Sequence, residues 1–133
     1  MKRILLPLLL ILFILTGCAQ KLDGDGMIGK TTYIQIDQEK AKEMMDTQKV
    51  LILDVREQHE YDSGHIPGSV LLPVGTITED TAAAVIDDLD TVVLVYCRSG
   101  NRSKTASQAL VDLGYTNIYE FGGINTWPYE IEK

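Results

Sequence analysis

Residues 91–103, TVVLVYCRSGNRS, decide the fold class of this chain. The apolar run over residues 91–96 is typical of a strand that is buried on both faces of a parallel sheet. Cys97 follows directly, and a polar loop then leads into a predicted helix over residues 103–113. A strand, a tight loop and a helix start place Cys97 at the carboxyl edge of the sheet, where open α/β folds bind ligands.

The segments on either side predict the same alternation of strands and helices. Strands are predicted over residues 33–36, 50–55, 70–71 and 118–121, and helices over residues 37–45 and 78–89. Asp37 is the predicted N-cap of the first of these helices, and Gly114 has the position of a left-handed residue at a helix C-terminus. The pattern indicates an α/β layer fold with a mostly parallel sheet.

The N-terminus predicts an exported lipoprotein. Lys2 and Arg3 precede an apolar run over residues 4–15, which is too short for a spanning helix of about 20 residues and typical of a signal peptide. The run ends in Leu15-Thr16-Gly17-Cys18. This sequence resembles the lipobox of bacterial lipoproteins, in which a diacylglycerol is attached to the Cys sulfur before cleavage. The alternative is a plain secreted protein in which Cys18 is incidental.

These features divide the chain into three parts. We expect a lipoprotein signal peptide at residues 1–17, a lipidated N-terminus and flexible tether at residues 18–30, and one domain at residues 31–133. Two acyl chains give stable membrane attachment. The predicted location is therefore outside the cytoplasm, anchored to the outer face of the cell membrane or to the outer membrane.

The charge of the chain argues against several kinds of partner. The net charge is −7, and removal of the predicted signal peptide leaves 10 basic against 19 acidic side chains. An acidic protein has little attraction for nucleic acid or for an anionic membrane surface. We therefore expect no nucleic-acid partner, contact with a membrane through the lipid alone, and a monomer.

The surroundings of Cys97 favour a reactive thiolate. The N–H groups of the following loop can form an anion-binding cradle, and the helix start adds partial positive charge. Arg98 and Arg102 add whole charges. These effects predict a pKa of Cys97 below its reference of about 8.5. If Cys18 is lipidated, Cys97 is the only thiol. The alternative is a small buried core residue without chemistry.

Further motifs accompany this loop, and together they resemble a single-domain rhodanese over roughly residues 32–127. The motifs are Leu53-Asp54-Val55-Arg56, Glu60-Tyr61, Gly64-His65-Ile66-Pro67-Gly68-Ser69, Cys97-Arg98-Ser99-Gly100-Asn101-Arg102-Ser103, and Gly122-Gly123 with Trp127. The resemblance implies a rhodanese-like fold, with a mostly parallel five-stranded sheet flanked by helices. It also implies an enzyme, a rhodanese-type thiosulfate sulfurtransferase. Cys97 would be its catalytic residue, taking sulfane sulfur from a small anionic donor and passing it to cyanide or to a thiol, including a protein thiol.

The resemblance assigns roles to other residues. The donor would be bound by Arg98, Ser99, Gly100, Asn101, Arg102 and Arg56. Asp54 would orient the loop and Arg56. The structural alternatives are a turn-capping carboxylate for Asp54, and for Arg56 a salt bridge to Asp54 or Glu60. His65 would belong to a structural turn. Two histidines and one thiol have no metal-ligand spacing, so we expect neither metal nor cofactor.

The loop length favours one reaction within the resemblance. Cys97 and Arg102 have the spacing Cys-x4-Arg, whereas related phosphatases of this fold have the longer Cys-x5-Arg. A phosphatase or arsenate reductase is therefore the least favoured reading. Two alternatives to the transferase stay open: a persulfide carrier or redox partner of another exported protein, and a non-catalytic docking module.

Overall fold

The computed structural model describes residues 32–133, which form a three-layer α/β domain. The predicted signal peptide, the tether and the lipidation site at Cys18 lie outside the described residues. In residues 32–133, no helix has both the length and the apolar character needed to cross a membrane.

The described residues contain one parallel sheet. Its strands are β1 (Ile34–Gln35), β2 (Leu51–Asp54), β3 (Val70–Leu71), β4 (Val93–Cys97) and β5 (Ile118–Gly123). Their order is β1-β5-β4-β2-β3, and every neighbouring pair is parallel. β4 lies at the centre and is buried along its whole length, which explains its unbroken apolar run. The predicted α/β class and five-stranded parallel sheet are confirmed.

Four helices connect these strands. They are α1 (Gln38–Thr47), α2 (Gln58–Ser63), α3 (Glu79–Val85) and α4 (Asn101–Asp112). The Asp37 carboxylate caps α1 by accepting a hydrogen bond from the Lys40 N–H at 2.7 Å, as predicted. Gly114 has the predicted left-handed conformation, with φ at +101°.

Three helical segments differ from the sequence-based prediction. α2 was not predicted because none of its residues is buried, so it shows no apolar periodicity. α3 ends at Val85 rather than at residue 89, since the acidic residues that follow would oppose the negative end of the helix dipole. α4 begins two residues earlier than predicted, because Gly100 turns the chain directly into the helix.

The alternation of β4 side chains sends Cys97 to one face of the sheet. Val93, Val95 and Cys97 belong to the core layer under α3 and α4, whereas Leu94 and Tyr96 belong to the layer under α1. The partners of the first layer include Ala82, Ile86, Ala106 and Leu110. Because α4 begins beside the end of β4, the Cys97 side chain lies at the N-terminus of this helix.

A buried ion pair ties together the segments next to this edge. Arg56 binds the fully buried Asp54 carboxylate, with Nη2 2.7 Å from Oδ2 and Nε 3.0 Å from Oδ1. Tyr96 donates its hydroxyl proton to the same carboxylate at 2.6 Å. Arg56 Nη2 also donates to the Gly64 carbonyl at 2.8 Å. Charge-assisted bonds of this kind join β2, β4 and the end of α2.

Candidate active site

The loop at residues 97–103, the Cys97 loop, folds around a single sulfur atom. β4 ends at Cys97, and Gly100 has φ at +100°, in the left-handed region that favours glycine. The chain then enters α4 at Asn101. Cys97 is only 1 % exposed, whereas Arg98 and Ser99 are exposed on the outside of the loop. The sulfur therefore lies beneath the loop, with polar groups around it.

Hydrogen-bond donors of the Cys97 loop favour the thiolate. The Gly100 N–H donates to Sγ at 3.1 Å. The Cys97 thiol donates to the Ser103 hydroxyl at 3.4 Å, and this hydroxyl can donate in return once the sulfur is ionised. Burial alone raises the pKa of Cys97. The Ser103 hydroxyl and the N–H groups of Ser103, Gly100 and Ser99 outweigh it, so that the pKa lies below its ordinary value. The predicted direction of this pKa shift is confirmed. The contribution of the Ser103 hydroxyl to the lower pKa was not predicted.

The backbone of β5 supports the Cys97 loop from the side. A Cβ atom on Gly123 would lie 2.0 Å from the Arg98 carbonyl oxygen and 2.6 Å from the Ser99 nitrogen. The Asn125 N–H donates to the same Arg98 carbonyl at 3.2 Å. Only glycine at position 123 therefore allows the loop to lie directly on this strand.

Arg102 is held by a carboxylate that sequence analysis did not include in the site. Arg102 Nη1 lies 2.7 Å from Glu60 Oε2, and Nη2 lies 2.8 Å from Glu60 Oε1. The hydrogen bond from Arg102 lowers the pKa of Glu60 to about 2. Glu60 in turn raises the pKa of Arg102, and the negative charge of Cys97 adds to this increase. Arg102 thus acts on the sulfur electrostatically, but Glu60 offsets much of its charge.

Arg98 is a cation of the Cys97 loop that faces solvent. Its side chain is exposed, and within residues 32–133 its guanidinium has neither a hydrogen bond nor an ion pair. Ser99 and Asn101 are exposed next to it. The loop therefore presents one uncommitted positive charge to an incoming anion.

Arg56 is the predicted substrate-binding residue that the structure does not bring to the loop surface. It is 5 % exposed, and its guanidinium is held by Asp54 and the Gly64 carbonyl. These contacts match the alternative of a structural ion pair. Substrate binding by Arg56 stays a prediction. Asp54 orients Arg56, as the resemblance implies, and it also fixes Tyr96, the residue before Cys97.

His65 has the structural role that the resemblance implies. Its Nδ1 lies 2.9 Å from the Tyr61 carbonyl oxygen, and its ring stacks on the Tyr61 ring at 3.8 Å between centroids. Within the described part of the chain, no three His, Cys, Asp or Glu side chains cluster so that they could hold a metal ion.

The strand, loop and helix around Cys97 recur in known proteins. The family model of the rhodanese-like domain matches residues 37–129. The chain belongs to the rhodanese-like family. Among solved structures, a rhodanese with anions from E. coli is 30 % identical and superposes with a TM-score of 0.58, covering 64 % of this chain and 99 % of that one.

Curated members of the family include enzymes. The thiosulfate sulfurtransferase GlpE of Coxiella burnetii (strain RSA 331) is 34 % identical over 96 residues, which cover 71 % of this chain and 87 % of the relative. The thiosulfate sulfurtransferase PspE of Escherichia coli K12 is 38 % identical over 72 residues, which cover 54 % of this chain and 68 % of the relative. This rhodanese-like domain therefore has sulfurtransferases among its relatives.

Replacement of Ser103 by Ala should raise the pKa of Cys97. A hydrogen bond to a charged group contributes about 1.5–3 kcal/mol, so the inflection in alkylation rate against pH should move up by about one to two units. Ser107→Ala is the matched control, because Ser107 is a buried serine one turn further along α4 whose hydroxyl has no partner among the described residues. An unchanged inflection in Ser103→Ala would show that the hydroxyl does not bind the thiolate.

Proposed function

We propose that this rhodanese-like domain transfers sulfur through a persulfide on Cys97. Its donor is a small anion such as thiosulfate, and its acceptor is cyanide or a thiol. The observation that carries the proposal is the convergence of loop N–H groups and the Ser103 hydroxyl on the sulfur of Cys97. The relatives named thiosulfate sulfurtransferase support sulfur transfer as the general activity.

In the first half of the reaction, the Cys97 thiolate attacks the outer sulfur of thiosulfate. The new S–S bond forms as the S–S bond of the donor breaks, and sulfite leaves with that electron pair. The products are Cys97–S–S⁻ and SO₃²⁻, so charge and atoms balance. The lowered pKa of Cys97 increases the fraction of the reactive thiolate at a given pH. The exposed guanidinium of Arg98 attracts the donor dianion.

In the second half, the acceptor attacks the outer sulfur of the persulfide. Cyanide leaves as thiocyanate, and the electron pair of the S–S bond returns to Cys97 as the thiolate. The donors of the Cys97 loop stabilise this leaving group as they stabilise the starting nucleophile. The first displacement exchanges one S–S bond for another, and the second forms a C–S bond when cyanide is the acceptor. Neither step calls for a metal or cofactor.

Intact mass tests the persulfide. The full chain in detergent, treated with thiosulfate, should gain about 32 Da, one sulfur atom on the activated nucleophile. Later addition of cyanide should remove this mass and release thiocyanate. Cys97→Ser should gain nothing.

The other outcomes separate the alternative functions. A persulfide that cyanide discharges slowly and a protein thiol discharges fast would favour a carrier. No added mass with several sulfane donors would contradict sulfur transfer and favour a docking module.

We also propose that the domain works outside the cytoplasm on a lipid anchor at Cys18. The support is the sequence: a basic start, a short apolar run and a lipobox over residues 15–18. After removal of residues 1–17, the side chains carry a net charge of −9, which anionic headgroups would repel. Attachment would therefore depend on buried acyl chains rather than on the charge of the domain.

Membrane fractionation tests the anchor. The full chain should sediment with membranes and resist washing with high salt, because salt screens charge but does not weaken acyl burial. Replacement of residues 1–18 by an ordinary cleavable secretion signal should give a soluble exported protein that still transfers sulfur. If that protein sediments with membranes, the anchor is not at Cys18.

A further inference from the structure

Glu120 is a buried carboxylate that the proposed reaction does not use. It lies on β5 opposite Val95 of β4 and is only 3 % exposed. None of the ion pairs within residues 32–133 includes it, so no Lys or Arg of this region lies within 4.0 Å of its carboxylate. A carboxylate buried without a cation needs a specific reason, because desolvation of the charge costs several kcal/mol.

A hydrogen-bond chain connects this carboxylate to the reactive sulfur. The Ser103 hydroxyl donates to Glu120 Oε1 at 2.6 Å, and Cys97 Sγ lies 3.4 Å from the Ser103 hydroxyl oxygen as a thiol donor. The Gly122 N–H donates to Oε1 at 2.8 Å, and Gln35 Nε2 donates to Oε2 at 3.2 Å. All three members of the chain Cys97–Ser103–Glu120 are buried.

The single hydroxyl proton of Ser103 limits what this chain can do. If Cys97 and Glu120 were both ionised, the two anions would compete for that proton, and one would lose its hydrogen bond in a buried site. If Glu120 holds a proton, the chain reverses: the carboxylic acid donates to Ser103, and Ser103 donates to the thiolate. Both directions keep every hydrogen bond, but they place the charge at opposite ends of the chain.

We propose that Cys97 passes its proton through Ser103 to Glu120 when it becomes the nucleophile. The thiol S–H bond breaks, an O–H bond forms on the carboxylate, and Cys–SH with –COO⁻ becomes Cys–S⁻ with –COOH. The net charge of the site is unchanged. The inference rests on the proposed function for its use in sulfur transfer. In sulfur transfer, the donor dianion then approaches a site that carries one negative charge. If Cys97 and Glu120 were both ionised, the site would carry two.

The groups around Glu120 fit the role of a proton acceptor. β4 contributes Cys97, α4 contributes Ser103, and β1 contributes the neutral amide of Gln35. α1 contributes Gln38, which is bound to the Gly123 carbonyl. The nearby cation of α4, Arg102, is paired with Glu60. Cys97 is therefore the titratable group to which the carboxylate is linked.

Carbon-13 NMR locates the proton that Cys97 and Glu120 share. The full chain is measured in detergent with a label at the side-chain carboxyl carbon of glutamate. Glu120→Gln assigns the signal, and Glu120→Asp assigns it if the Gln variant does not fold. The carboxyl group of Glu120 should stay protonated at pH values where Cys97 is a thiolate. Cys97→Ser has no thiolate in the hydrogen-bond chain. In this variant the Glu120 carboxyl group should lose its proton at a pH at least about one unit lower, since the two groups titrate as a pair. Exposed Glu39 is the internal control and should not change.

The result separates this inference from the proposed function. A Glu120 signal that is ionised at the same pH in both proteins would contradict the proton transfer, even if thiosulfate still forms the persulfide. A Glu120 signal that depends on Cys97, in a protein that forms no persulfide, would support the proton transfer and contradict the proposed function.

Discussion

The close approach of the Cys97 loop to the backbone of β5 is the constraint on which the site depends. Gly123 is extended, so its conformation does not require glycine, but a side chain there would overlap the Arg98 carbonyl. With that space free, the loop closes over the sulfur and turns its N–H groups inward. Burial then strengthens each of these hydrogen bonds, because water does not compete for the thiolate.

The rest of the fold holds the two sides of this contact in place. On one side, the buried pair of Asp54 and Arg56 fixes Tyr96, and through it the end of β4. On the other side, Glu60 of α2 holds Arg102 at the start of α4. Breaking a buried ion pair such as that of Asp54 and Arg56 costs about 3–5 kcal/mol, so this contact resists movement of the end of β4. The sulfur is activated by fixed neighbours and needs no large rearrangement to become a thiolate.

Sequence reasoning located the loop around Cys97 because that part of the candidate site is continuous in the chain. The apolar run before Cys97, the short polar loop and the helix start are local signals, and they correctly indicated the sheet edge and the lowered pKa. α2 was missed because it buries no residue, and the pairing of its Glu60 with Arg102 was missed with it. The ion pair of Arg56 with Asp54 stayed one of several alternatives, because the partner of Asp54 could not be chosen from spacing alone.

Glu120 was missed for a related physical reason. It is 17 positions from Ser103, in a strand that the chain reaches only after α4. A charged residue in an otherwise apolar strand is a signal for a buried polar contact, but it does not name the partner. That partner depends on the register of β4 and β5, which is irregular between Val95 and Cys97. Register of this kind is a tertiary property.

The alkylation rate of Cys97 against pH in Gly123→Ala tests the central claim most directly. The backbone at this position accepts alanine, so the added methyl group acts mainly by pushing the loop away from β5. Gly75→Ala is the matched control, since a Cβ there meets no atom within 4 Å. We predict that Gly123→Ala folds, that its Cys97 inflection moves up by about one unit as the N–H donors withdraw, and that persulfide formation slows. An inflection and a rate equal to those of Gly75→Ala would contradict the account.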